Sequence, residues 1–223
     1  MSNLYNERSF FPQRVSQYVP AMMYSAAVAL HGPTRISFGA VIAVSTNNIL
    51  NAQNVNVAGS VSMNFSGNTP YGKCIQLAAS GASTAVIVCA GMDYLGQRMV
   101  ENITLNGVTP VFSNKAFRYL MAVTWPAMAG LTLSIGNSAK LGLPYKAMRC
   151  AWEQADQVAA AAGTLVQPSL VDPQTAITLD PRGTYTPTTV PNGSRIITAA
   201  FDFFNDVNAA GNGGLHGLPH FSG

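Results

Sequence analysis

Charge is what this chain has least of. Only 21 of its 223 residues are Asp, Glu, Lys or Arg, 9% of the total, where an ordinary soluble domain carries roughly 25%. Disorder would require a low apolar content as well, and a hydrophobic fraction of 48% excludes it. A membrane-spanning helix needs about 18 or more consecutive apolar residues. No such window exists, because the most apolar N-terminal stretch, residues 18–30, contains Pro20 and Ser25. Glu7, Arg8 and Arg14 are followed by a polar, proline-interrupted segment, so no export signal is expected. Cysteine is scarce too. Cys74, Cys89 and Cys150 are an odd set without CxxC spacing, which excludes a disulfide framework. The apolar run Val86-Ile87-Val88-Cys89 predicts buried free thiols, as in a reducing cytosol.

These shortages also limit the chemistry. The histidines are His31, His216 and His220. Gly217 and Pro219 keep the last two from converging on a helix face, so no metal site is expected. There is no GxSxG elbow and no nearby base for a serine or cysteine nucleophile. A glycan hydrolase needs two facing carboxylates, but residues 35–150 offer only Asp93 and Glu101. Asp93, in Gly91-Met92-Asp93-Tyr94, reads as part of a turn or bulged crossing. Phosphate-binding glycine loops are missing, and a net charge of +3 is too small to indicate nucleic acid. The expectation is a non-enzyme without cofactor, nucleic-acid or membrane partner. Tyr94, Tyr119, Trp125, Trp152 and Tyr185 are scattered candidates for a carbohydrate face but read better as core or interface residues.

What is present is a β pattern. From Arg35 onward, short apolar segments are separated by Asn, Gly, Ser and Pro. Strands are expected at 36–44, 61–65, 74–78, 84–90, 99–105, 117–124, 131–135, 183–186 and 194–204, with a further one at 175–179. Val61, Met63 and Phe65 alternate with polar residues, as a half-buried strand requires. Ser80-Gly81, Asn106-Gly107, Ser113-Asn114 and Gly136-Asn137 supply turn chemistry. Residues 46–56 fit a loop or a polar strand. Residues 148–167 fit two short strands joined at Ala155-Asp156-Gln157, with one helix as the rival reading. The expected fold is all-β, mainly antiparallel, sandwich or barrel-like, with a domain over 35–204 between an extended N-terminal arm (1–34) and a C-terminal tail (205–223).

A charge-poor surface suits a subunit packed among others, since interface cores are depleted of charge. Phe10, Phe11, Tyr18, Met22 and Met23 in the arm, with Leu218 and Phe221 in the tail, are the candidate assembly-interface residues. Residues 1–150 hold ten basic and three acidic side chains and residues 151–223 two and six, which would allow end-to-end complementarity between copies.

Several short motifs carry a resemblance over roughly residues 70–205. They are Gly91-Met92-Asp93-Tyr94-Leu95-Gly96-Gln97, Glu101-Asn102-Ile103-Thr104-Leu105-Asn106-Gly107, Lys115-Ala116-Phe117, Leu141-Gly142-Leu143-Pro144 and Arg182-Gly183-Thr184-Tyr185-Thr186-Pro187. In that order they resemble structural proteins of tailed bacteriophages. The resemblance implies a virion component made in the host bacterial cytoplasm and without catalytic residues. It would be a capsid decoration or cement subunit, otherwise a head-to-tail or tail accessory subunit. Its partners would be the major capsid protein or neighbouring virion proteins, and copies of itself in a homo-oligomer.

Overall fold

The computed structural model describes residues 33–66, 70–94, 96–144, 147–168, 180 and 182–203. The seven proposed arm and tail contacts, all three histidines and the strand expected at 175–179 lie outside these residues. Among the described residues there are fourteen strands and no helix. In chain order they are β1 (Thr34–Ala40), β2 (Leu50–Asn54), β3 (Gly59–Ser66), β4 (Lys73–Ala79), β5 (Val86–Met92), β6 (Arg98–Thr104), β7 (Val111–Phe112), β8 (Tyr119–Trp125), β9 (Thr132–Gly142), β10 (Ala147–Ala155), β11 (Val158–Ala160), β12 (Thr164–Val166), β13 (Thr184–Thr186) and β14 (Ile196–Phe203).

The strands form three sheets in the orders β1-β14-β10-β11, β12-β13-β9-β4-β7 and β3-β8-β5-β6, with β2 also on β9. Each strand pairing is antiparallel. The fold is therefore all-β, as composition and alternation predict. β6 shows the cause most plainly: Met99, Glu101 and Ile103 point inward while Arg98, Val100, Asn102 and Thr104 face water. β14 lies inside its sheet and is buried on both faces from Ile197 to Phe201.

Two apolar cores result. The first lies between the β3-β8-β5-β6 sheet and the central sheet and contains Ile75, Leu77, Ile87, Cys89, Met99, Phe117, Leu120, Val123, Leu133 and Ile135. The second lies between the central sheet and the β1-β14-β10-β11 sheet, with Phe38, Leu141, Tyr185, Ile197, Ala199 and Phe201. The long strand β9 serves both, through Leu133 and Ile135 at one end and Leu141 at the other.

Three local expectations change. Gly136-Asn137 is not a turn but the middle of β9. The backbone at Ser45 crosses the strand there so closely that a Cβ on Gly136 would lie 1.8 Å from the Ser45 carbonyl oxygen, so glycine admits a close approach of two backbones rather than a reversal. The first strand stops at Ala40 instead of residue 44, after a register shift between Ser37 and Gly39, whose φ is +70°. Phe117 makes only an isolated bridge to Lys73 before β8 begins. Elsewhere the open readings resolve. Residues 46–49 bend before β2, and 148–167 forms the β10–β11 hairpin rather than a helix. Asp156 and Gln157 hold its turn with φ of 52° and 67°, the doubly positive pair of a type I′ hairpin turn.

Candidate functional site

Seven of the fifteen charged residues described are buried: Lys73, Asp93, Glu101, Lys115, Glu153, Asp180 and Arg182. Such groups are costly inside a protein unless paired or hydrogen-bonded, so their partners show what they do. Arg182 lies in the loop entering β13 and reaches the turn after β5, where its Nη1 donates to Asp93 Oδ2 at 2.7 Å. Asp93 Oδ1 accepts the Gln97 amide at 2.9 Å, which closes that turn. Asp180 accepts the amides of Arg182 at 2.9 Å and Ala116 at 3.0 Å and lies 3.8 Å from Arg182 Nε. Burial raises the Asp180 pKa despite the guanidinium beside it.

An aromatic chain continues this bridge into the second core. The Arg182 guanidinium stands 4.7 Å over the Tyr94 ring. Tyr94 donates its hydroxyl to the Pro144 carbonyl at 2.6 Å and meets Tyr71 edge-on, and Tyr71 in turn meets Phe38 edge-on. The cluster thus ties the β5–β6 turn, the approach to β8 and the loop before β13 into one joint between the two cores.

The other buried charges also hold irregular backbone. Glu101 accepts the amides of Asn114 at 2.7 Å and Lys115 at 3.0 Å, while Lys115 Nζ donates to the Val100 carbonyl at 2.7 Å. Burial pushes the Glu101 carboxyl up to about 7 against those donors and the nearby ammonium. Glu153 accepts the Tyr185 hydroxyl and the amides of Thr188 and Thr189. Lys73 Nζ donates to the Ile42 carbonyl at 2.6 Å, and burial lowers its pKa to about 8.

Asp93 and Glu101, the two carboxylates weighed for hydrolysis, each secure irregular structure: one holds Arg182 and a turn, the other the 114–115 backbone. Cys74 and Cys89 are free and buried, and burial raises both thiol pKa values. Cys150 is half-buried. The five scattered aromatics do not form one face. Trp125 is buried with Nε1 donating to the Val57 carbonyl, and Tyr185 lies in the second core. Tyr119 stands on the outer face of the β8 sheet and Trp152 is in a different sheet. Among the described residues no three His, Cys, Asp or Glu side chains are grouped to hold a metal ion.

The outward face of the β3-β8-β5-β6 sheet has a different character. Register aligns Ser60, Thr124, Val88 and Asn102 in one row, Ser62, Ala122, Ala90 and Val100 in the next, and Tyr119, Met92 and Arg98 in a third. Val86, Val88, Ala90 and Met92 run down its middle. Val86, Val100, Tyr119 and Met121 are each 37–46% exposed. Arg98 is the one charged residue in these rows, and no acid is present. Sequence reasoning placed the assembly surface in the two termini and did not single out this face. The signal was the absence of polar alternation in β5, where Val86, Val88, Ala90 and Met92 occupy positions that a solvated strand face fills with polar residues.

No protein-family model matches the chain, and neither curated proteins nor solved structures yield a match.

Proposed function

We propose that this chain is a non-enzymatic structural subunit of a tailed-phage virion, a capsid decoration or cement protein that stabilises the head by binding neighbouring capsid subunits. The carrying observation is the outer face of the β3-β8-β5-β6 sheet, which exposes Val86, Val100, Tyr119 and Met121 and carries no acidic residue in its aligned rows. Such faces mark interaction sites when they lie on a stable scaffold. The buried ionisable groups support the same reading, because they secure loops and turns inside the fold. The ordered motifs within residues 70–205 support the virion setting.

The test is occupancy on purified particles. Val100→Glu combined with Met121→Glu places charge on half-exposed positions, where surface changes cost about 0.5 kcal/mol or less each. The variant should fold normally and lose at least tenfold in capsid occupancy, and unchanged occupancy would overturn the proposal. Copy number then locates the subunit. Hundreds of copies per virion fit decoration, whereas a dozen or fewer would move it to the neck or tail.

A further inference from the structure

An edge strand presents a row of unpaired amides and carbonyls, and proteins normally blunt it with charge, bulges, shortness or cover. Most edges in this fold are blunted in that way. β1 carries exposed Arg35 and the irregularity at Gly39. β2 is kinked at Ala52, whose φ is 46°. β6 is overlaid by the 114–115 segment, with Lys115 Nζ on the Val100 carbonyl. β7 has two residues, and β11 and β12 have three each.

β3 is the exception. It is eight residues long, lies at the end of its sheet and pairs only with β8 among the described residues. Its sequence, Gly-Ser-Val-Ser-Met-Asn-Phe-Ser, contains neither charge nor proline. Its register shift falls after Ser62, so residues 59–62 stay in regular register with β8.

We infer that β3 is the contact between two copies of this chain, its outer edge pairing antiparallel with the same edge of a second copy about a two-fold axis. Charge identifies the occupant. No Asp, Glu, Lys or Arg occurs from Ile36 to Gly72, so two such edges meet without like-charge repulsion. A neutral edge also gives a charged foreign strand no complementary charge to read. Two-fold pairing requires a surface that complements itself, and this one does. The pairing joins two four-stranded sheets into one and brings both apolar outer faces onto the same continuous sheet.

The test is the mass of the full-length chain in solution by sedimentation at micromolar concentration. The wild type should sediment at twice the chain mass of 23.5 kDa. Ser60 and Ser62 both face solvent on β3, so S60K/S62K and S60E/S62E should each be monomers with native circular dichroism. An equimolar mixture of the two should recover the dimer, an outcome that misfolded variants cannot produce. A monomeric wild type, or an S60K/S62K chain that remains a dimer, would overturn the inference. This inference deepens the assembly reading, and the two fail separately. A monomer that still occupies capsids removes the β3 contact alone, and a β3-paired dimer that never binds particles removes the decoration role alone.

Discussion

Replacing Arg182 with Met removes the guanidinium that donates to Asp93 and lies 3.8 Å from Asp180. The three side chains are each 1% exposed, so the two carboxylates cannot turn to water. Breaking a buried pair by deleting one partner costs about 3–5 kcal/mol, a large part of the roughly 5–15 kcal/mol that holds a domain folded. Loss of the guanidinium from the Tyr94 ring adds about 1 kcal/mol. Met keeps most of the volume, so the effect is electrostatic rather than a cavity. With a urea slope of about 2 kcal/mol per M, the unfolding midpoint at pH 7 should fall by about 2 M. A pH signature separates this cause from general damage. Burial already raises the Asp180 pKa against the pull of the guanidinium, so without Arg182 the folded Asp180 carboxyl rises further and the native form binds more protons than the unfolded chain. Stability then increases as pH falls. R182M should gain more stability than the wild type between pH 7 and 5, and D180N/R182M should lose that extra gain while keeping the slope that comes from Glu101. A midpoint shift below about 0.5 M at pH 7 would refute the view that this cluster joins the two cores.

Three more predictions concern the interior. The folded Glu101 pKa, about 7 against an ordinary 4.5, makes the native state the better proton binder, so stability is full below pH 4.5 and is lost as pH rises to about 7, by roughly 3 kcal/mol. E101Q should remove most of that slope in urea titrations, leaving the part in the same direction from Asp180. G136A, whose Cβ would overlap the Ser45 carbonyl, should cost about 3 kcal/mol or more, whereas G130A, with φ of +73° but open space around it, should cost only about 1–2 kcal/mol. Comparable thermal shifts for the two would contradict the close crossing over β9. In native protein, half-buried Cys150 should react first with a thiol reagent and buried Cys74 and Cys89 only on unfolding; equal native rates would mean that the first core is open.

How far each element was legible follows from the range of the forces that set it. β3, β6 and the β10–β11 hairpin are specified locally by alternation and turn residues, and they stand close to where the sequence places them. β9 was read short because Gly136-Asn137 looks like a turn in isolation. Only the backbone crossing at Ser45, some ninety positions earlier, gives that glycine its meaning. The Arg182 joint was missed for the same reason, since Asp93 and Arg182 are 89 residues apart. A usable signal existed in Asp180-Pro181-Arg182-Gly183: where charge is this rare, two opposite charges within three residues ahead of a glycine call for a structural explanation.

The scarcity of charge acquires a different meaning once the side chains are placed. A shortage spread at random would leave most charges on the surface, yet nearly half of those described are inside, and each of the five short motifs at 91–97, 101–107, 115–117, 141–144 and 182–187 contributes to a joint of the fold. Asp93, Glu101, Lys115 and Arg182 come from four of them, and Leu141-Gly142-Leu143-Pro144 supplies the carbonyl that Tyr94 binds. Among the described residues, the two acids left unburied, Asp156 and Asp202, pair with Arg195 and Arg149. The described body therefore keeps charge where backbone must turn and cross, withholds it from the β3 edge, and leaves no acid in the aligned rows of the adjoining sheet face. A solitary protein gains solubility from the opposite arrangement. Keeping a long edge neutral and a broad face free of acids is disadvantageous for a free monomer but suits surfaces that are covered in the working state, which is the physical reason to look for this chain's function in its contacts.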